Sequence, residues 1–146
     1  LLAGCVASTD GTVDKFLGDG MMAFWGAPQA QPDHAARAVR AALAIRDRIR
    51  AEGAGATRLR LGLHTGRALV GNIGSRDRLN YTLVGDTVNV AQRLEQLGKE
   101  IVPGSDVVIL ASGATARHAA GLCPIEALGV RRLRGRDELL EVFRLG

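Results

Sequence analysis

Tyr81-Thr82-Leu83-Val84-Gly85-Asp86-Thr87-Val88-Asn89-Val90-Ala91-Gln92-Arg93 runs from a short extended segment, 80–84, into a helix start. Asp86 is placed to cap that helix, which the spacing carries to about Gly98 with Val90, Leu94 and Leu97 turned inward. Asn89 and Arg93 are four apart and therefore share one face. A second stretch, Lys15-Phe16-Leu17-Gly18-Asp19-Gly20, closes an extended segment, 12–17, with a tight turn that leaves a carboxylate at its tip. The strand returns over 21–25 and is broken by Gly26-Ala27-Pro28.

Outward from these stretches, residues 1–8 are apolar and close a helix, with Asp10-Gly11 as the turn after it. Asp33 is a candidate N-cap for a long helix to about Arg50, with Ala35, Ala38, Ala42, Ile45 and Ile49 on its inner face. Residues 54–57 read as a small-residue linker. Leu59, Leu61 and Leu63 alternate with charge as a half-buried strand, Thr65-Gly66 turns the chain, and 68–73 returns as a second strand. The run 107–110 is continuously apolar, the signature of a buried strand, and 112–120 reads as a short helix. Strands over 130–134 and 139–143 finish the chain, joined by Gly135-Arg136-Asp137. Strand pairs alternating with helices predict one α+β domain over 1–146, an α/β sandwich with helices packed on a mostly antiparallel sheet.

Composition narrows the function. An apolar fraction of 47% in 146 residues suffices for one hydrophobic core and argues against disorder. With 3% aromatic residues, Leu, Val, Ile and Ala must build that core. The net charge of +4 suits an anionic ligand, yet no basic stripe interleaved with aromatics is present, so nucleic acid is not expected as a partner. Cys5 and Cys123 lack metal-ligand spacing and read as two buried free thiols in a reducing cytoplasm. No apolar run approaches membrane-spanning length, and there is no Walker-type loop, dinucleotide fingerprint or zinc signature.

The candidate chemistry rests on few residues. Asp19 at a hairpin tip can hold a divalent cation through one or two oxygens while phosphates and water complete the shell, although Gly-Asp-Gly is also ordinary turn chemistry. Lys15 on the preceding strand is either a solvated lysine or a donor to a purine or a phosphate. The amide of Asn89 and the guanidinium of Arg93 can orient a ribose and stabilise a transferring phosphoryl group, or simply line an exposed helix. Thr82 offers a hydroxyl that both donates and accepts. His64 ends a strand without a nucleophile or acid at meaningful spacing and reads as structural, whereas His34 and His118 read as helix-surface residues.

In order along the chain, 11–20, 23–28, 33–39, 61–66, 70–75, 81–93 and 133–135 resemble the catalytic domain of class III nucleotidyl cyclases, the adenylyl and guanylyl cyclases. The resemblance implies a ferredoxin-like nucleotidyl cyclase fold that pairs head to tail, with each site shared across the dimer. It implies conversion of ATP to 3′,5′-cyclic AMP and pyrophosphate, in intracellular signal transduction, with two Mg²⁺ or Mn²⁺ ions clamping the attacking and leaving oxygens. Asp19 matches a metal-binding aspartate, Arg93 the arginine of the transition state, and Asn89 the asparagine that positions the ribose. Lys15 and Thr82 match the purine-selecting pair, with Lys15 favouring adenine, and Arg134 matches a basic residue on the terminal phosphates. The implied partners are ATP, a second copy, and regulatory domains of a longer parent, in a cytoplasmic setting that leaves room for a membrane anchor in the parent.

One part of the pattern is not found. The family carries its first metal-binding aspartate on a strand upstream of the Gly-Asp hairpin, and before Gly11 this sequence offers only Asp10. The chain is therefore expected to be an N-terminally truncated domain, its first strand missing and its activity alone low or absent. The alternative is a non-catalytic nucleotide-binding or dimerising regulatory module, a degenerate cyclase domain; a weaker one is an anion- or nucleic-acid-binding domain using the arginine excess.

Overall fold

The computed structural model describes residues 2–17, 20–27, 29–53, 58–73, 80–102, 106–133 and 138–146. In chain order these form α1 (Leu2–Ser8), β1 (Thr12–Leu17), β2 (Gly20–Phe24), α2 (His34–Ala51), β3 (Leu59–Leu63), β4 (Leu69–Ile73), β5 (Asn80–Val84), α3 (Asp86–Ile101), β6 (Val107–Ser112), α4 (Gly113–Ala116), β7 (Ile125–Arg132) and β8 (Leu139–Leu145). Among the described residues, a four-stranded sheet has the order β3-β6-β8-β7, and β1-β2 and β4-β5 are separate antiparallel pairs. Among the described strand pairs, β3 and β6 alone run parallel. The expected α+β sandwich on a mostly antiparallel sheet is what the chain adopts.

The centre is β6. All six of its residues are buried, as the continuous apolar run predicts for a strand covered on both faces. Val107, Ile109 and Ala111 join a core with Val39, Ala42, Ile45 and Ile49 of α2, Cys5 of α1 and Ala116 of α4. Val108 and Leu110 point the other way, into a second core with Val90 and Leu94 of α3, Leu133 and Val142. The period-two alternation of a strand thus feeds two helical layers from one segment. Leu94 and Leu110 are 0% exposed, and full burial of such a side chain contributes roughly 2–3 kcal/mol each.

Several sequence expectations need correction. Residues 69–73 do not return along β3; β4 pairs with β5, Leu69 opposite Val84, while β3 takes β6 as its partner. The burial of β3 also differs: a Cβ at Gly62 would collide with Ala91 O and Glu95 N of α3, so α3 sits directly on one face of the strand, while Leu59, Leu61 and Leu63 pack toward the α2 core on the other, and the strand is not half-solvated. Arg60 follows suit: its guanidinium donates to Leu59 O (3.0 Å) and Val102 O (3.2 Å) beneath α3.

Around α2 the apolar face is wider than the predicted stripe. Val39 and Ala41 are buried with Ala35, Ala42, Ile45 and Ile49, and Ala38 is half-buried, because α1 packs on the helix from outside the sheet. Asp33 sits at the cap position without a capping hydrogen bond; its carboxylate accepts from Arg37 Nε at 2.8 Å. The helix expected over 112–120 is shorter, since Ser112 ends β6 and α4 stops at Ala116. At the end, β7 starts at Ile125, before the predicted 130, as a largely exposed edge strand with an irregularity between Ala127 and Val130. Glu126, Ala127 and Gly129 are weak strand formers, which hides this half from a propensity reading. Cys5 is buried and Cys123 half-buried; both are free.

Candidate functional site

The β1-β2 pair carries the first candidate. Val13 faces Ala23 and Lys15 faces Met22, so Asp14 is an extra residue on β1. A bulge of this kind adds twist and re-aims the residues after it. Lys15 follows directly and is exposed, as is Phe16 at 68%. Asp19, beyond the strand, lies outside the described residues.

β1 lies against β5, on which Thr82 stands opposite Gly71. The elements holding Lys15 and Thr82 are therefore neighbours in the fold, although 66 positions separate the two residues in sequence (82 − 15 − 1).

β5 passes into α3 through Gly85, whose φ of 138° lies where L side chains are strained. The N-cap is Gly85, one residue before the predicted Asp86, which instead opens the helix and places its carboxylate in the first turn, where the helix dipole favours it. The Thr87 hydroxyl donates to Arg67 O, tying the first turn of α3 to the connection after β3. That connection is pinned at its other end. His64 Nδ1 and Ser112 Oγ share a 2.6 Å hydrogen bond, and the Thr65 and Thr115 hydroxyls share one of 2.7 Å. Ser112 and Thr115 are buried and satisfied, so His64 takes the structural role expected of it.

Asn89 is exposed and Arg93 half-buried, one turn apart on α3. Arg93 Nη1 donates to Gln96 Oε1 at 3.1 Å, which fixes the guanidinium against its own helix. It opens onto a groove of about 640 Å³ lined by Arg93, Gln96, Lys99, Glu100, Arg132 and Leu133. Arg134 lies outside the described residues, but Leu133 before it is part of this groove wall. A second cleft, about 490 Å³, lies between β2, the start of α2 and the end of β3, with Trp25, His34, His64 and Thr87 in its wall. It holds none of Lys15, Asn89 or Arg93 and is not the candidate site.

Among the described residues no three His, Cys, Asp or Glu side chains come together as a metal site, and Asp19 is outside them. No described helix is long and apolar enough to cross a membrane. What sequence reasoning missed is the contribution of Arg132 and Lys99 to the groove and the hydroxyl pairs that pin the loop after β3. Both join residues distant in the chain, and neither carries a local motif.

Comparison with known proteins completes the picture. The profile of the "Adenylate and Guanylate cyclase catalytic domain" matches residues 6–138. Adenylate cyclase 1 of Rhizobium meliloti (strain 1021) is 41% identical over 152 aligned positions, covering 99% of this chain and 22% of that protein. The chain thus spans about a fifth of the length of that curated relative. The crystal structure of the adenylyl cyclase CyaB from P. aeruginosa superposes with a TM-score of 0.80 at 29% identity, covering 99% of this chain and 76% of that one. The guanylate cyclase domain of RhGC from Catenaria anguillulae, solved with GTP, superposes with a TM-score of 0.80 at 25% identity, covering 99% and 77%. The sandwich described above is the ferredoxin-like fold of these catalytic domains. With the profile running through β1, β5 and α3, the chain belongs to the adenylate and guanylate cyclase catalytic domain family.

Proposed function

We propose that this chain is the catalytic domain of an adenylyl cyclase, acting on ATP at a site shared between two copies. The observation that carries the proposal is Asn89 and Arg93 on one face of α3, a turn apart, with Arg93 opening onto a cationic groove. In the reaction the ribose 3′-oxygen attacks the α-phosphorus, the bond to the β-phosphate breaks, and pyrophosphate leaves. Asn89 orients the ribose through its amide. Arg93 exchanges its bond to Gln96 for the non-bridging oxygens on which charge develops, where a preorganised cation acts most strongly. Lys15 and the Thr82 hydroxyl read the adenine, and Arg134 holds the terminal phosphates.

Mg²⁺ or Mn²⁺ belongs to the proposal through Asp19, and the roles assigned to Asn89 and Arg93 do not depend on which ion binds. Phe16, Leu69 and Val84 are large apolar side chains left exposed at 68%, 67% and 40%, and a second copy is the proposed cover.

The test is product formation from ATP and from GTP with either ion, by this chain and by the full-length protein. From the full-length protein cyclic AMP in excess of cyclic GMP is expected, with Arg93→Ala lowering kcat by about 10²–10³ and leaving Tm unchanged, and from this chain alone little or no product. Asp19→Ala should abolish product. A folded full-length protein that binds ATP and makes neither product would instead mark a nucleotide-binding regulatory module.

A further inference from the structure

Arg93 does not stand alone in its groove. Lys99, two positions before the end of α3, and Arg132, the last residue of β7, bring their charges to the same 640 Å³ space. Arg93 spends one donor on Gln96, and Lys99 makes a loose 3.4 Å ion pair with Glu95. A guanidinium has five donors and an ammonium three, so both keep capacity. The Arg132 backbone is paired with β8 opposite Leu139, but no side-chain hydrogen bond or ion pair to a described residue engages its guanidinium.

Two features oppose an anion here: the Glu100 carboxylate, which lines the groove, and the carbonyl end of α3. A singly charged ion meeting one cation would gain little against them in an open, water-filled groove. An anion with several charges spread along a chain can meet more than one of the cations that line the groove. The geometry of the groove therefore selects for a polyphosphate.

We propose that Arg132, with Lys99, is a polyphosphate-binding residue beside Arg93, taking the pyrophosphate portion of the substrate and the released product. This rests on the reading of Arg93 given above for the substrate, but the binding of pyrophosphate itself does not.

The experiment is calorimetric titration of the chain with sodium pyrophosphate, and with orthophosphate for comparison, at low and at physiological salt. Pyrophosphate should bind more tightly than orthophosphate. Arg132→Gln should weaken pyrophosphate by about tenfold, in keeping with loss of a charge-assisted contact, and Lys99→Gln by about threefold. Arg131→Gln is the control. It removes the same charge one residue away, from a side chain that donates to Leu128 O at 3.2 Å and does not line the groove, and should change affinity less than about twofold. Equal losses in Arg131→Gln and Arg132→Gln would reduce the effect to a general field and overturn the proposal. So would an unchanged affinity in Arg132→Gln. If pyrophosphate binding depends on Arg132 while no cyclic nucleotide is ever formed, the catalytic reading fails and this one stands; cyclic AMP formation with Arg132→Gln indifferent to pyrophosphate gives the reverse.

Discussion

β1 and β6 are each six residues long, and they live in different surroundings. β6 is bonded on both sides, buried along its whole length and gripped by helices above and below. Among the described residues β1 is paired on one side only, bulged at Asp14, and shows Lys15 and Phe16 to solvent. The same division runs through the molecule. Burial is concentrated around the four-stranded sheet, whereas Lys15 and Thr82 ride on two-stranded pairs and Asn89 is exposed on α3. The candidate residues thus stand on both kinds of element, and α3, which packs Val90 and Leu94 into a core while exposing Asn89, belongs to both.

Leu110→Ala should break the comparison most severely, because it hollows the core under α3. A loss of about 3–4 kcal/mol is expected, read by denaturant unfolding. Gly62→Ala comes next. Its methyl would meet Ala91 O, and the cost of pushing α3 off β3 is about 3 kcal/mol, with the proposed cyclase activity of the full-length protein falling along with stability because α3 carries Asn89 and Arg93.

Gly85→Ala sharpens the boundary between the two regions. A Cβ there would make only ordinary contacts, 3.6 Å from Ala68 Cα, but the φ of 138° is not available to alanine without strain, so about 1–2 kcal/mol should be lost. Phe16→Ser should change monomer stability by less than about 0.5 kcal/mol and show instead in analytical ultracentrifugation, as weaker association.

The smallest effect concerns the latch between α1 and α2. Arg37 donates to Asp33, Asp10 and Thr9 O. Its hydrogen bond to Asp33 holds that carboxyl below the usual range, with desolvation opposing and the guanidinium charges of Arg37 and Arg40 assisting. A depressed carboxylate lends stability above its unfolded pKa and loses it as pH falls through the folded value. Tm should therefore decline slightly further on acidification in the wild type than in Arg37→Gln, with the difference vanishing toward neutral pH only in its slope, not its offset.

Much of this was legible from local signals. The β1 and β2 strands, the α3 periodicity through Val90 and Leu94, and the unbroken apolar run of β6 each report their own environment, and each forms the element its pattern predicts. The pairing of β4 was not legible. Its alternation fits a partner on either side, and the register with β5, Leu69 opposite Val84, is set by contacts that the alternation does not encode. Arg60 illustrates the same limit: an arginine between leucines reads as solvated until the carbonyl of Val102, 42 positions away, is found beneath α3. Among the site residues, Asn89 and Arg93 could be paired from spacing alone because one helix holds both. Arg132 could not, since its relation to Arg93 exists only once β7 is laid beside α3.

The alternation of β6 has a consequence for how the protein tolerates change. Odd and even residues of one strand serve two cores that share no buried side chain. A backbone held by hydrogen bonds on both flanks stands between them and transmits little displacement. Damage on the α2 side and damage on the α3 side should then accumulate as independent sums: Ile45→Val with Leu94→Ala close to additive, Leu94→Ala with Leu110→Ala far from it. Variation can explore the two layers separately, and the layer that bears Asn89 and Arg93 can drift in sequence without renegotiating the one behind it.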